Sequence, residues 1–370
     1  MNRNEPWKIL TVLAILVFNL SGCGLQNQYP QTALDTPKHH AITGNTFLQA
    51  GKLNDALREF QRARELDPEY ALAYLGLGVL ASLDHDCPGG LAMLQKARGY
   101  ARDKNEEAEV NLGFIRVYAA CQETLDANWL PLAEKEFELA SQIVPKSTAL
   151  TYYMGLAYKN ACDFSSARQL FSQVRDHSQD RVFNAKAKQD LALLKKIEQA
   201  GPVTLPGRKI ALLPSVTRAE LSVLLMREMG ADRLVPPQFT AASAIDVSGH
   251  KFQNDMEAVI ALGVDGLKPN QDHAFRPDDV VTRCQFATIM KDILRKSFGE
   301  KFLGTQATGG HSPFPDVSDN AVCLEALALA IELGILEPID RKTKSIVPAG
   351  PITGVNALWG IRVAERQLKG

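Results

Sequence analysis

The chain has 370 residues, a length that predicts two or three domains and excludes one small module. Its 41 lysines and arginines nearly balance its 42 aspartates and glutamates, so the formal net charge of −1 gives no global electrostatic reason to expect nucleic acid as a partner. The hydrophobic fraction of 45% and the charged fraction of 22% lie near the average for globular domains, which excludes a disordered chain and a protein with many membrane spans.

The first 22 residues have the organisation of an export signal. Arg3 and Lys8 precede the apolar stretch 9–18, which is short for a membrane span but typical of a signal-peptide core. Residues 20–23, with the sequence LSGC, then resemble the lipobox of bacterial lipoproteins. This resemblance implies that residues 1–22 are removed and that Cys23 is acylated, so that its acyl chains anchor the mature protein to a membrane.

The segment 23–37 is rich in Gln, Asn, Pro and Thr, which predicts a tether between the lipid and the first domain. In the lipoproteins that the lipobox resembles, an aspartate directly after the cysteine commonly marks retention in the inner membrane. Gly24 stands at that position here. The expected location is therefore the cell envelope, with the outer membrane favoured and the body of the protein facing the periplasm or the cell surface.

Residues 38–200 contain an internal repeat. Four glycines recur inside helical apolar patterns with spacings of 34, 35 and 42 residues: Gly44, Gly78, Gly113 and Gly155. Downstream small residues keep step and are each followed four residues later by a large apolar side chain: Ala56, Gly90, Ala133 and Ala167. This pattern resembles the tetratricopeptide (TPR) repeat, which implies a mainly α fold, here a helical solenoid closed by a last amphipathic helix over 180–199. It also implies that the groove formed by the first helices holds a partner protein.

Four tyrosines lie on or near the first helices of these repeats: Tyr74, Tyr118, Tyr152 and Tyr158. They either face the groove or fill the core between helices. The second alternative is favoured, so no peptide site is assigned from them.

The cysteines predict cross-links, because disulfides persist in exported proteins. Cys87, Cys121 and Cys162 all fall where the first helix of a repeat turns into the second. Neighbouring turns lie about 10 Å apart, and a disulfide requires Cα atoms within about 7 Å. An eight-residue insertion beside Cys121 supplies slack, so a bond from Cys121 to either Cys87 or Cys162 is a candidate.

Cys284 and Cys323 form a second candidate pair in the C-terminal region, and free buried thiols are the alternative for all of these cysteines. Without Cys23 the remaining cysteines number five, an odd count that leaves at least one unpaired. Their spacings match neither a zinc site nor a redox pair, so no metal and no cofactor are expected.

A proline-rich and glycine-rich linker over 201–215 precedes a second module, predicted over 216–370. In its best copy an Asp-Val turn at 246–247, a helix ending at 263–264, a Phe-x-Pro loop at 275–277 and a helix start at 282–285 follow in order. A further copy spans 314–354, and half a copy stands at 216–221 with no visible first helix. This order resembles the S-layer homology (SLH) motif, which implies a pseudo-repeat helical domain that binds anionic cell-wall polysaccharide.

The residues at the helix starts of this module fall into two groups, one with a structural role and one with an expected functional role. Thr217 with Glu220, and Thr282 with Gln285, form capping boxes whose role is to begin a helix. Arg218 and Arg283 follow those threonines although a cation opposes the helix dipole, so an anionic partner is expected. In SLH domains this arginine contributes to polysaccharide binding, and the alternatives are solvation or pairing with nearby acids. The third copy carries Gly354 instead, which puts a full set of three grooves in doubt.

No catalytic constellation is visible, since the sequence lacks a zinc-peptidase motif, a P-loop, a nucleophile elbow and a dinucleotide turn. His39 and His40 are expected to be exposed to solvent. The leading hypothesis is a non-enzymatic envelope lipoprotein whose TPR domain binds a partner protein and whose SLH-like domain binds cell-wall polysaccharide or a peptidoglycan-linked polymer. The alternative is an assembly factor for an outer-membrane, pilus or secretion complex that uses the SLH-like repeats as a protein-binding module.

Overall fold

The computed structural model describes residues 34–125, 128–237, 244–299 and 311–369. Within these ranges the chain forms sixteen α-helices and one π-helix, and it contains no β-strand. The first nine helices are α1 (Pro37–Gln49), α2 (Leu53–Leu66), α3 (Ala71–Leu83), α4 (Cys87–Tyr100), α5 (Lys104–Ala120), α6 (Trp129–Ile143), α7 (Thr148–Asn160), α8 (Phe164–His177) and α9 (Arg181–Ala200). The others are α10 (Leu205–Ala211), α11 (Arg218–Val223), the π-helix Leu224–Met229, α12 (Ala231–Leu234), α13 (Gln253–Leu262), α14 (Arg283–Phe298), α15 (Leu324–Glu332) and α16 (Gly354–Lys369). The mainly α fold class is confirmed.

The chain divides into two compact units, one up to Ala157 and one from Tyr158 onwards, so the boundary falls inside α7. The first unit is called the repeat unit below, and the second the C-terminal unit. Each is described by itself.

The repeat unit is built from antiparallel helix pairs, α1 with α2, α3 with α4 and α5 with α6. Glycines let the two helices of a pair approach closely. A Cβ added at Gly78 would lie 2.9 Å from the carbonyl oxygen of Gly90, and the reverse contact has the same length. Only glycine at both positions avoids that clash, so the repeated small residues in the sequence mark helix crossings.

The core of this unit is formed by the large apolar residues that follow the small ones. Phe60 is 2% exposed, while Leu94 and Phe114 are fully buried. The first helices of the second and third pairs, α3 and α5, are buried around most of their circumference. Burial of these helices supplies the hydrophobic stabilisation of the solenoid.

The C-terminal unit begins with the end of α7, followed by α8 and the long helix α9. The sequence predicted a last amphipathic helix over 180–199, and α9 spans Arg181–Ala200. Its start is capped by the Asp180 carboxylate, and it ends at Gly201, whose φ of 58° is a conformation that glycine adopts without strain.

Three short segments of the C-terminal unit are joined in a ring by backbone hydrogen bonds. The backbone N–H of Val216 donates to the Ile352 carbonyl at 3.0 Å, that of Ile352 donates to Val281 at 3.0 Å, and that of Val281 donates to Val216 at 2.8 Å. All three side chains are buried. Each segment leads directly into a helix, α11, α14 or α16. The half copy of the repeated motif and its two later copies therefore contribute one helix start each to this ring. The third of these helices is α16.

Candidate functional site

The threonines that start α11 and α14 form complete capping boxes. The Thr217 N–H donates to Glu220 Oε2 at 2.8 Å, and the Glu220 N–H donates to Thr217 Oγ1 at 3.3 Å. Thr282 and Gln285 make the same pair of bonds at 2.8 and 3.2 Å. These bonds satisfy N–H groups of the helix start, which accounts for both threonines and their partners by the fold alone.

Arg218 is held by the loop of the following copy. Its Nε donates to the Phe275 carbonyl at 2.6 Å, and its Nη1 donates to the Gly266 carbonyl at 2.5 Å. The guanidinium also lies 4.6 Å from the centroid of the Phe275 ring. Burial lowers the pKa of Arg218, and the nearby carboxylates of Asp279 and Asp246 act in the opposite direction. The side chain remains partly exposed.

Arg283 makes the equivalent contacts one copy later, but it is only 2% exposed. Its Nε donates to the Ile346 carbonyl at 2.6 Å and its Nη2 to the Glu337 carbonyl at 2.5 Å. Both guanidinium groups are therefore bound by neutral carbonyl oxygens, whereas the sequence predicted an anionic partner. The two arginines join successive copies, and of the two only Arg218 reaches solvent.

The third position of the ring has no room for an arginine. A Cβ added at Gly354 would lie 1.7 Å from the Ile210 carbonyl oxygen, because α10 packs against the start of α16. The Gly354 N–H donates to the Leu213 carbonyl at 3.0 Å, which continues this contact. The short helix α10 thus precedes the half copy, where the sequence showed no first helix. It fills the space beside Gly354 that corresponds to the positions of Arg218 and Arg283 in the other two copies.

Two aspartates hold the loops on which the arginines rest. The Asp246 carboxylate accepts the N–H groups of Phe275 and Arg276, both at 2.7 Å. Asp316 accepts the N–H groups of Ile346 at 3.0 Å and Val347 at 2.7 Å. Burial alone would raise the pKa of both carboxyl groups, but these hydrogen bonds outweigh it, so both pKa values lie below the usual value.

In the repeat unit, the first two helix pairs are close-packed helical hairpins. Phe60 on α2 fills the space beside Gly44 on α1 and Gly76 on α3, where an added Cβ would approach its ring to 2.9 and 2.3 Å. One phenylalanine thus packs against both first helices, which is how consecutive repeats stack into a solenoid.

Residues 44–82 match a family model described as TPR repeat. The match covers the first helix pair from Gly44 and continues through most of α3. TPR repeats are a non-catalytic fold used for protein–protein interaction. No curated protein matches the chain.

Three of the four tyrosines singled out in the sequence, Tyr74, Tyr118 and Tyr152, are buried in the core of the repeat unit. Tyr74 and Tyr118 are each 9% exposed and Tyr152 is 6% exposed, while Tyr158 is half-buried. The Tyr74 hydroxyl donates to the Pro68 carbonyl at 2.8 Å, which satisfies its polar end locally. Tyr74, Tyr118 and Tyr152 fill space between helices, as the sequence analysis favoured.

The cysteines join elements at the turns. Cys87, the first residue of α4, is bonded to Cys121 directly after α5, with Cα atoms 5.8 Å apart. Cys284 on α14 is bonded to Cys323 just before α15, with Cα atoms 5.7 Å apart. Cys162 is a buried free thiol, and burial raises its pKa. Of the two partners proposed for Cys121, the structure therefore pairs it with Cys87.

No group of three or more His, Cys, Asp or Glu side chains is placed to hold a metal ion in the part of the chain that the structure describes. His40 was expected to be exposed, but its ring nitrogens lie 2.8 Å from Asp35 Oδ1 and 2.6 Å from Glu59 Oε2. His39 is exposed. Across the described ranges, no helix combines the length and the apolar character that crossing a membrane requires. The predicted signal peptide and Cys23 lie outside these ranges.

Proposed function

We propose that the protein is a non-enzymatic cell-envelope lipoprotein that links a membrane to a cell-wall polymer and to a partner protein. Acyl chains on Cys23 anchor it, the TPR unit binds the partner protein, and the C-terminal unit binds anionic cell-wall polysaccharide. The observation that carries the wall-binding part is the closed ring of Val216, Val281 and Ile352, because it joins the half copy and the two later copies of a motif whose order resembles the SLH motif.

Within that unit, Arg218 is the residue proposed to contact the polymer. Arg218, Arg283 and Gly354 occupy equivalent positions at the three helix starts. Arg218 reaches solvent, whereas Arg283 is buried and Gly354 has no charge. Arg218 donates three hydrogen bonds to carbonyl groups, to Phe275, Gly266 and Lys268. A guanidinium has five N–H donors, so two remain for an anionic sugar.

Co-sedimentation with wall sacculi tests this proposal. The full chain, with Arg218→Ala and Arg283→Ala variants, is mixed with sacculi of the source organism at physiological salt, which suppresses weak charge attraction. We expect the wild-type protein and the Arg283→Ala variant to sediment, and the Arg218→Ala variant to stay in solution. The two arginines make similar structural bonds, so Arg283→Ala is the matched control for lost stability. The melting temperature of each variant is measured in parallel.

Equal loss of sedimentation in both variants, in step with their melting temperatures, would mean that the arginines act only through the fold. Failure of the wild-type protein to sediment would overturn wall binding altogether.

A second candidate function is favoured by the carbonyl contacts themselves. Both arginines are used to join copies, and α10 closes the position of Gly354. If the arginines serve only to join the copies, the C-terminal unit has no residue reserved for a polysaccharide. Such a unit fits an assembly factor, which binds proteins through both units. Its signature is recovery of a partner protein by the full chain together with absence of binding to sacculi.

A further inference from the structure

The segment from the end of α7 to α10 holds an excess of positive charge. Residues 159–209 contain ten lysines and arginines against five aspartates and glutamates, whereas the whole chain has 41 against 42. Positive charge is therefore concentrated in this part of the C-terminal unit, and acids elsewhere in the chain balance it. Such an asymmetry, which the net charge of −1 conceals, indicates a surface for an anionic partner.

The acids of this segment are all engaged. Asp163 and Asp180 accept backbone N–H groups at the starts of α8 and α9, at 3.1 and 2.8 Å. The other three pair with cations of the segment, and a fourth cation has a distant partner: Lys159 with Asp190, Arg168 with Glu198, Arg175 with Asp176 and Lys196 with Glu337. In the part of the chain that the structure describes, six cations of the segment have no ion pair: Arg181, Lys186, Lys188, Lys195, Arg208 and Lys209.

Three of these cations lie in a straight row on α9, called the basic stripe below. Arg181, Lys188 and Lys195 are spaced by seven residues, or two helical turns, so they share one side of the helix at intervals of about 10 Å. The stripe and the residues between its members are exposed, and none of them is acidic: Ala185, Ala192 and Gln199. The buried residues lie on the opposite side, where α9 packs on α8 and α16: Phe183, Ala187, Asp190, Leu194 and Ile197.

Exposed apolar side chains stand near both ends of α9 in the chain. Val182 at its start, and Val203 and Leu205 shortly after its end, are each more than half exposed. Cations combined with exposed apolar side chains are typical of surfaces that lie at the interface of a membrane, whereas a soluble polyanion would gain only from the cations. The stripe also lies on the outside of a helix and not in a groove, so it fits a flat surface better than a single extended chain.

We propose that the basic stripe binds the surface of a membrane that contains anionic phospholipids. The phosphate groups of the lipids accept charge-assisted hydrogen bonds from the guanidinium and ammonium groups. The inference rests on the proposed lipid anchor and adds to it a second, electrostatic contact with the membrane. The thirteen residues between Cys23 and α1 span at most about 45 Å, so the anchor keeps the protein close to the bilayer, where weak binding suffices.

The test uses the chain from residue 24 to residue 370, which contains every residue that the structure describes and carries no acyl group. It is mixed with vesicles of phosphatidylcholine that contain about 30% phosphatidylglycerol, and with vesicles of phosphatidylcholine alone. We expect co-sedimentation with the anionic vesicles only. Raising the salt concentration from about 0.05 M to about 0.5 M should abolish it, because salt screens exposed charges.

Two triple variants locate the contact. Arg181→Gln/Lys188→Gln/Lys195→Gln should bind the anionic vesicles roughly 100-fold more weakly, about fivefold for each cation, with an unchanged melting temperature. The matched control removes three exposed lysines of the repeat unit, Lys52→Gln/Lys135→Gln/Lys146→Gln. It has the same net charge as the stripe variant, and we expect it to bind like the wild-type protein.

Three results would overturn the proposal. Equal binding by the wild-type protein and the stripe variant would exclude the stripe from the contact. Equal weakening of both triple variants would mean that only net charge matters. Tighter binding of the stripe to soluble polyglutamate than to the vesicles would assign it to an acidic protein.

Acylation of Cys23 is assayed separately, by labelling with palmitate in cells. An acylated protein whose stripe variant binds the vesicles like the wild-type protein would exclude α9 from the membrane contact and leave the proposed anchor standing. A protein without acylation whose stripe binds the vesicles would contradict the anchor and support the electrostatic contact.

Discussion

The buried carboxylate of Glu228 provides the sharpest test of what stabilises the C-terminal unit. Its side chain is fully buried and accepts from the N–H groups of Val203 at 3.0 Å and Thr204 at 2.8 Å, and from the Thr204 hydroxyl at 2.6 Å. Arg362 on α16 donates to the same carboxylate and, through Nη1, to the Glu228 carbonyl at 2.5 Å. One carboxylate thus joins the end of the π-helix, the segment before α10 and α16.

Replacing Glu228 with glutamine keeps the shape and removes the charge. The Arg362 side chain, 15% exposed, then keeps its charge beside a neutral amide. Its bond to Glu365 at 2.8 Å supplies only a partial replacement. Breaking a buried ion pair by removing one partner costs about 3–5 kcal/mol. With a shift of about 2–4 °C per kcal/mol for a unit of this size, the melting temperature of the C-terminal unit should fall by roughly 6–20 °C.

Denaturant unfolding followed by tryptophan fluorescence measures this loss. The chain has three tryptophans, and Trp359 on α16 reports the C-terminal unit once Trp7 is absent and Trp129 is replaced by phenylalanine. Glu337→Gln is the matched control, because the Glu337–Arg341 pair is exposed and a surface pair contributes about 0–1 kcal/mol. A loss for Glu228→Gln no larger than for Glu337→Gln would refute the argument that this carboxylate holds the unit together.

Three further predictions follow from single features. Val347 has a φ of 53°, a left-handed conformation that is strained for a β-branched residue, so Val347→Gly should stabilise the C-terminal unit by about 1 kcal/mol in the same unfolding assay. The bond between Cys87 and Cys121 closes a loop with a sequence separation of 34, so a Cys87→Ser/Cys121→Ser variant should lose about 4 kcal/mol of unfolding free energy in the repeat unit, and an unchanged midpoint would contradict this. The pKa of Asp316 is lowered in the folded state from its ordinary 3.8, so its contribution to stability is present above pH 3.8 and is lost as the pH falls through the folded value. The stability difference between wild-type protein and Asp316→Asn should therefore shrink on acidification, and a constant difference from neutral to acid pH would contradict the assignment.

Local sequence patterns predicted the local structure well. The helix periodicity and the recurring small residues predicted the helix pairs, because a close crossing such as that of Gly78 with Gly90 leaves no alternative residue. The capping boxes at Thr217 and Thr282 were also visible, since all their atoms lie within four residues. The relation of α10 to Gly354 was not visible, because the contact joins segments more than a hundred residues apart.

The roles of the arginines needed the tertiary structure. A cation at a helix start indicates a negative partner, but the sequence gives no sign that the carbonyl of Phe275, 57 residues away, supplies it for Arg218. Long-range polar contacts are the part of a site that pattern analysis of one sequence misses.

The ring of three hydrogen bonds between Val216, Val281 and Ile352 has a consequence for how the two halves of the protein evolve and fold. A solenoid is open-ended, so the repeat unit can gain or lose a helix pair and still present complete neighbours to each other. A closed ring has no such freedom, because its first and last members must meet. Deleting the segment that contains Ile352 would leave the segments at 216 and 281 without their third member, so the ring can form only after this segment has been synthesised.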